Sequence, residues 1–147
     1  MTFRPPGVSR ARGRGRTPLL AAAVAGLGSG APSTVVGLAR GDDLLASTRA
    51  AGTMVLGADA EPGPLLVAGA VVHACLSFAW ASVLVRTLPH RHPVVCGALA
   101  GLAIAGLDLG LVGRHFPALV ALPVGPQLAD HVAFGVLVGV VVSRADD

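Results

Sequence analysis

The chain has 147 residues, 53% of them hydrophobic and only 13% charged, and its net charge of +3 rests on Arg alone as the basic residue. A soluble domain carries about 25% charged residues, so a chain this apolar, with a mean hydropathy of +0.72, cannot cover a water-facing globule. The basic balance does not point to nucleic acid either: five Arg fall in the first sixteen residues, the rest are scattered, and one Trp and four Phe make no stacking platform.

The apolar residues come in long runs, the pattern of bilayer-spanning helices. Lys, Asn and Tyr are absent while Ala, Gly, Val and Leu abound. That bias belongs to GC-rich genomes and points to a bacterial source.

In chain order, residues 1–18 (MTFRPPGVSRARGRGRTP) are rich in Arg, Gly and Pro and read as a disordered basic arm. The apolar run after it is longer than the core of a signal peptide, so it is read as an uncleaved first span over 19–39. Pro32 lies inside this span and is expected to kink it. Gly26, Gly30, Ser33 and Gly37 share one of its faces. Asp42 or Asp43 can then cap a short helix from Leu44 to about Leu56. About 13 residues cannot cross a bilayer, so this is read as an interfacial helix. Its expected apolar side is Leu44, Leu45, Ala51, Val55 and Leu56, with Arg49 and Thr53 in water.

The second span is expected over 65–88, with Gly69, His73, Ser77 and Ala81 at four-residue spacing. A basic turn, RTLPHRHP at 86–93, separates it from the third span at 94–113. That third span holds one charge, Asp108, on the face shared by Gly97, Gly101 and Ala105. Three prolines (Pro117, Pro123, Pro126) forbid one regular helix from Phe116 to Gln127. The fourth span, 126–142, places His131, Gly135 and Gly139 on one face, and 143–147 form a short tail. Cys75 and Cys96 make no CxxC pair and read as small buried hydrophobes.

Most Arg lie in the N-terminal arm, the 86–93 turn and at Arg144. The positive-inside rule then puts both termini in the cytoplasm of a plasma-membrane protein. The expected fold is an all-α, four-transmembrane-helix bundle with an extra short interfacial helix between the first and second spans.

A charge inside a bilayer costs a few kcal/mol and is expected to face protein. At 1.5 Å per residue, Asp108 and His131 lie about 7–8 Å from the outer helix ends, Ser33 about 9 Å and His73 about 13 Å. Ser33, His73, Asp108 and His131 are therefore expected to form a polar cluster in the outer half of the bundle. Arg114, His115 and Asp130 are expected at its mouth. Gly26, Gly30, Gly97, Gly101, Gly135 and Gly139 are the expected helix-packing glycines.

Two readings of the cluster stand side by side. It either serves as a proton, ion or small-ligand site, or it only ties the helices together. No HExxH, phosphate loop or nucleophile motif occurs, and the two His stand at unequal depths for haem. The expectation is a non-enzymatic protein without catalytic residues, metal or cofactor. Its surroundings are lipid, with a second copy or another membrane protein as possible partner and no nucleic acid. The alternative is a small proton- or ion-coupled transporter or channel component, or a subunit of a larger membrane complex.

Three segments, SGAPSTVVGLARGDDLLASTRAAGT (29–53), AGLAIAGLDLGLVGRHFPALVALP (100–123) and QLADHVAFGVLVG (127–139), resemble a family of small four-helix integral membrane proteins of actinobacterial type. Ser29-Gly30-Ala31-Pro32-Ser33-Thr34 and His131-x3-Gly135-x3-Gly139 carry the resemblance. It implies the four-span topology and brings no activity, ligand or catalytic residue with it.

Overall fold

The helix breaks fall at or beside proline and glycine, although Pro18 and several glycines are carried inside helices. The computed structural model describes residues 10–146, with side chains over 17–145, and its regular elements are all helical. Four stretches are long and apolar enough to cross a bilayer: Thr17–Arg40, Pro62–Thr87, Pro93–His115 and Val124–Ala145. Large side chains such as Leu27 (90% exposed) and Val67 (68%) cover the outside. Water would reject such a surface, whereas lipid matches it, so the chain is built to be embedded in a membrane.

The first span is two helices, α1 (Arg10–Gly28) and α2 (Ala31–Arg40). The expected arm is shorter than 1–18, because the helix already starts at Arg10; residues 1–9 lie outside the described residues. Arg and Ala are strong helix formers, and the span propagates back through them. Pro32 has no N–H and its ring clashes with the carbonyl four residues earlier. The break therefore falls before it, at Ser29-Gly30, and Pro32 sits in the first turn of α2, where the missing donor is harmless.

The short helix is α3 (Ala46–Leu56), and it lies lengthwise along α4 (Pro62–Thr87). The face that meets α4 is a glycine face, and the leucine side is left to face apolar surroundings. A Cβ on Gly52 would stand 2.1 Å from the carbonyl oxygen of Leu65, and one on Gly69 would stand 1.8 Å from that of Thr48. Pairing 48 with 69 and 52 with 65 makes the two helices antiparallel. Backbones meet this closely only where no side chain intervenes. Val55 (66%) and Leu56 (46%) stay exposed.

α4 ends at the basic turn, where Arg86 Nη1 and Thr87 Oγ1 donate to the carbonyls of Ser82 and Val83 at 2.5 and 2.9 Å. His92 takes a left-handed φ of 59° ahead of α5 (Pro93–Ala105). The third span then continues as a π-helical segment, Gly106–Val112, and a 3₁₀ turn, Gly113–His115. A short α6 (Pro117–Val120) leads into α7 (Val124–Asp146). α7 overruns the expected 126–142 at both ends: its apolar stretch of 22 residues reaches about 33 Å, enough to cross without strain.

α5 and α7 form the tightest pair. Cβ atoms on Gly97 and Gly135 would stand 2.2 and 1.9 Å from each other's carbonyl oxygens, one on Gly101 would stand 2.2 Å from that of His131, and one on Gly139 2.5 Å from that of Pro93. A Cβ on Gly26 would stand 3.1 Å from Ser77 Oγ, whereas one on Gly30 would meet nothing within 4 Å. Ala21, Ala25, Ala81, Phe134 and Val138 fill the centre where α1, α4 and α7 meet. Cys75 and Cys96 are free, Cys75 on the exposed surface, contrary to the buried expectation.

Candidate functional site: a polar cavity within the bundle

The break in the first span starts the site. The first N–H groups of any helix lack intrahelical partners. In α2 one of them, Ser33 N–H, donates to Asp130 Oδ1 of α7 at 2.9 Å. A carboxylate at a helix N-terminus also meets the positive end of its dipole. The hydroxyls of Ser33 and Thr34 both donate back to the Gly30 carbonyl, at 3.1 and 2.7 Å.

On α4, His73 Nε2 lies 2.8 Å from the Gly26 carbonyl oxygen in the last turn of α1. A carbonyl only accepts, so Nε2 carries a proton. On α7, His131 Nδ1 donates to the Gln127 carbonyl at 2.8 Å for the same reason. Its other nitrogen, Nε2, faces Asp108 Oδ2 at 3.5 Å. With Nδ1 donating, Nε2 is the ring nitrogen left to exchange a proton beside the Asp108 carboxyl, between α7 and the third span. Each side chain is 24% exposed.

Asp108 belongs to the π-helical segment, in which Gly113 N–H reaches back five residues to its carbonyl. A Cβ on Gly113 would stand 2.8 Å from that oxygen, so the wide turn needs a glycine there. π turns inside α-helices recur at functional sites. The wide turn also changes the phase of the helix. His115 lies seven residues after Asp108, which at an α-helical period is the same face, and the π turn shifts it from that face. Arg114 and His115 are exposed, with Arg114 Nε donating to His115 Nε2 at 3.4 Å, and neither lines the cavity.

Ser33, His73, Asp108, Asp130 and His131 all line one cavity of about 440 Å³. Gly30 borders it too. A smaller cavity of about 260 Å³ shares Ser33, Thr34, Leu44, Ser47, Leu122 and Gln127 with the first, and adds Asp42 and Asp43. It forms a vestibule. None of the Arg between Arg40 and Arg144 lines either space.

Sequence reasoning missed Trp80, Phe134, Gln127 and the hydroxyls of Ser47 and Thr48, all on the cavity wall. Trp80 and Phe134 each lie three residues past a named polar position, Ser77 and His131, so helical spacing carried that signal. Ser47 and Thr48 carried none, because nothing in the sequence turns α3 against α4. Among the described residues no group of three or more His, Cys, Asp or Glu is placed to hold a metal ion. No protein-family profile, curated protein or solved structure matches this chain.

Proposed function

We propose that this is a non-enzymatic, multi-pass protein of a bacterial plasma membrane, with both termini cytoplasmic. In this reading it admits a small solute or ion to its cavity from the outer side. The Asp108–His131 pair then holds the proton exchanged for it. The observation that carries the proposal is that pair, 3.5 Å apart across two spans and on the wall of a cavity large enough for a ligand. A carboxylate beside an imidazole is a proton site near neutral pH. Structural ties alone do not call for the open volume beside them. Membership of the actinobacterial group belongs to the same proposal and supports only its topology.

Thiol accessibility tests it. In a Cys75→Ala/Cys96→Ala background, Ser33→Cys is expected to react with a membrane-impermeant methanethiosulfonate added to the outer face. Leu99→Cys, 61% exposed on the bundle surface, is expected to be shielded by lipid. A Ser33→Cys thiol as inert as Leu99→Cys would sink the solute reading. For the proton, the His131 ring resonances are expected to shift with pH about a midpoint that moves in Asp108→Asn. A midpoint indifferent to that change removes the proton role.

A subunit role has one observation in its favour. Gly106 and Gly110 are exposed, with open space where a Cβ would stand. A second copy or another membrane protein has room to pack closely there. Crosslinking in native membranes giving only a monomer band would remove this reading.

A further inference from the structure

We infer that the solute is a monovalent organic cation with an apolar body, held by Asp130 and Asp108 against Trp80 and Phe134. The inference rests on the reading of the cavity as a solute site and names its ligand class.

The sign of the cavity comes first. α7 presents Asp130 and His131 to it, the π segment presents Asp108, and α4 presents His73. α2 and α3 add hydroxyls, from Ser33, Thr34, Ser47 and Thr48. The chain has no Lys, and among the described residues no Arg lines the wall. Both His rings already donate to backbone carbonyls, and His131 faces Asp108 with its remaining nitrogen. Asp130 has one oxygen on Ser33 N–H and a second for a ligand. Two carboxylates therefore face at most one strongly placed counter-charge. A carboxylate taken out of water needs a cation near it. The vestibule adds Asp42 and Asp43, with Asp43 bonded to Arg49. A cleft lined by one sign of charge raises the local concentration of the other.

The body of the ligand follows from the rest of the wall. Hard inorganic cations need several charged oxygens converging on a point, and among the described residues no three Asp, Glu, His or Cys are placed to hold a metal ion. Instead the wall carries Ile104, Leu109, Val72 and Leu76 beside the carboxylates. The chain has one Trp, four Phe and no Tyr. The Trp and one Phe line this cavity. An aromatic face attracts a cation within about 6 Å of its centroid, Trp most strongly. A volume of about 440 Å³ suits one small organic molecule. Protonation of Asp108 or Asp130 removes the charge that the cation needs, so proton and cation compete.

Trp80 is the sole tryptophan and serves as reporter. The full-length protein in dodecyl maltoside micelles, whose headgroups are uncharged, is titrated with benzyltrimethylammonium. A saturable change in Trp80 fluorescence is expected, weakening as pH falls. The neutral carbon isostere, neopentylbenzene, and the anion, phenylmethanesulfonate, are expected to give none. Asp130→Asn keeps an oxygen for Ser33 N–H and is expected to weaken binding about tenfold, or 1.4 kcal/mol. Should Asp130→Asn melt early, Phe134→Leu is read instead, and weaker binding of the cation is again expected. Equal response to the isostere or the anion, or unchanged affinity in both variants, overturns the inference. A soluble cation and the quaternary ammonium of a choline lipid offer the same chemistry. Displacement of the probe by added phosphatidylcholine assigns the lipid, no displacement assigns a soluble molecule, and both support the cation class. Labelled Ser33→Cys with no cation binding leaves the cavity reading standing and removes this one.

Discussion

Gly101→Ala adds one methyl group where α5 and α7 touch. That Cβ would stand 2.2 Å from the His131 carbonyl oxygen, against 3.4 Å for ordinary contact, so the helices must part by the difference of about 1.2 Å. A gap of 0.5–1 Å already loses a quarter to a half of each dispersion contact. Overpacking of this kind costs roughly 1–3 kcal/mol. The same displacement acts on the backbone of His131 itself, so it also stretches the 3.5 Å pair with Asp108. Gly106→Ala, one helical turn and a residue further on, meets nothing within 4 Å at a φ of −60°. There Ala replaces Gly at no steric cost, and the change is expected to be neutral or stabilising by up to about 1 kcal/mol. The assay is unfolding of both variants in mixed micelles at rising dodecyl sulfate, followed by Trp80 fluorescence. Equal midpoints for Gly101→Ala and Gly106→Ala would refute the argument that backbone contact holds α5 to α7.

The other expectations concern the cap, the loop and the topology. Asp130→Ala leaves Ser33 N–H without its acceptor and is expected to cost about 0.5–2 kcal/mol, the range for a lost helix cap; Asp130→Asn is expected to cost less, and thermal melting compares them. The Arg49 side-chain hydrogen bond, helped by Leu45 N–H at 2.9 Å, holds the Asp43 carboxyl below the usual carboxylate range. A carboxyl with a depressed folded value stabilises above its ordinary range and loses that contribution as pH falls through the lowered value. A carboxyl-carbon NMR titration of Arg49→Gln is expected to return Asp43 towards the ordinary range, and an unmoved midpoint contradicts the pairing. Alkaline phosphatase inserted after Asp59 is expected to be active and a fluorescent protein after Asp147 to glow in the cytoplasm; the reverse pattern inverts the topology.

Much of this was legible in the chain. Four apolar runs bounded by Pro, Gly and Arg define four spans, because lipid admits only self-satisfied helices. Helical spacing placed Ser33, His73, Asp108 and His131 on small-residue faces, and all four line the cavity, with His73 at an exposed part of its wall. Spacing misled where the helix was not α. The π turn after Ala105 moved His115 off the face that a 3.6-residue period assigns it. It also misled where hydrophobicity stood in for packing. In α3 the leucine side, expected to face apolar material, stays on the outside, and the close contact with α4 is made by Gly52, which the hydrophobic pattern did not single out.

Composition and order along the chain, then, determined the solvent, the number of spans and the sites of their breaks. Those follow from local chemistry: run length, missing N–H groups and side-chain periodicity. Only the tertiary structure decided that the start of α2 meets Asp130, that α3 closes on α4, and that His131 Nε2 faces Asp108 across two spans. These contacts join residues far apart in the chain, and each depends on two backbones approaching to a distance set by both partners.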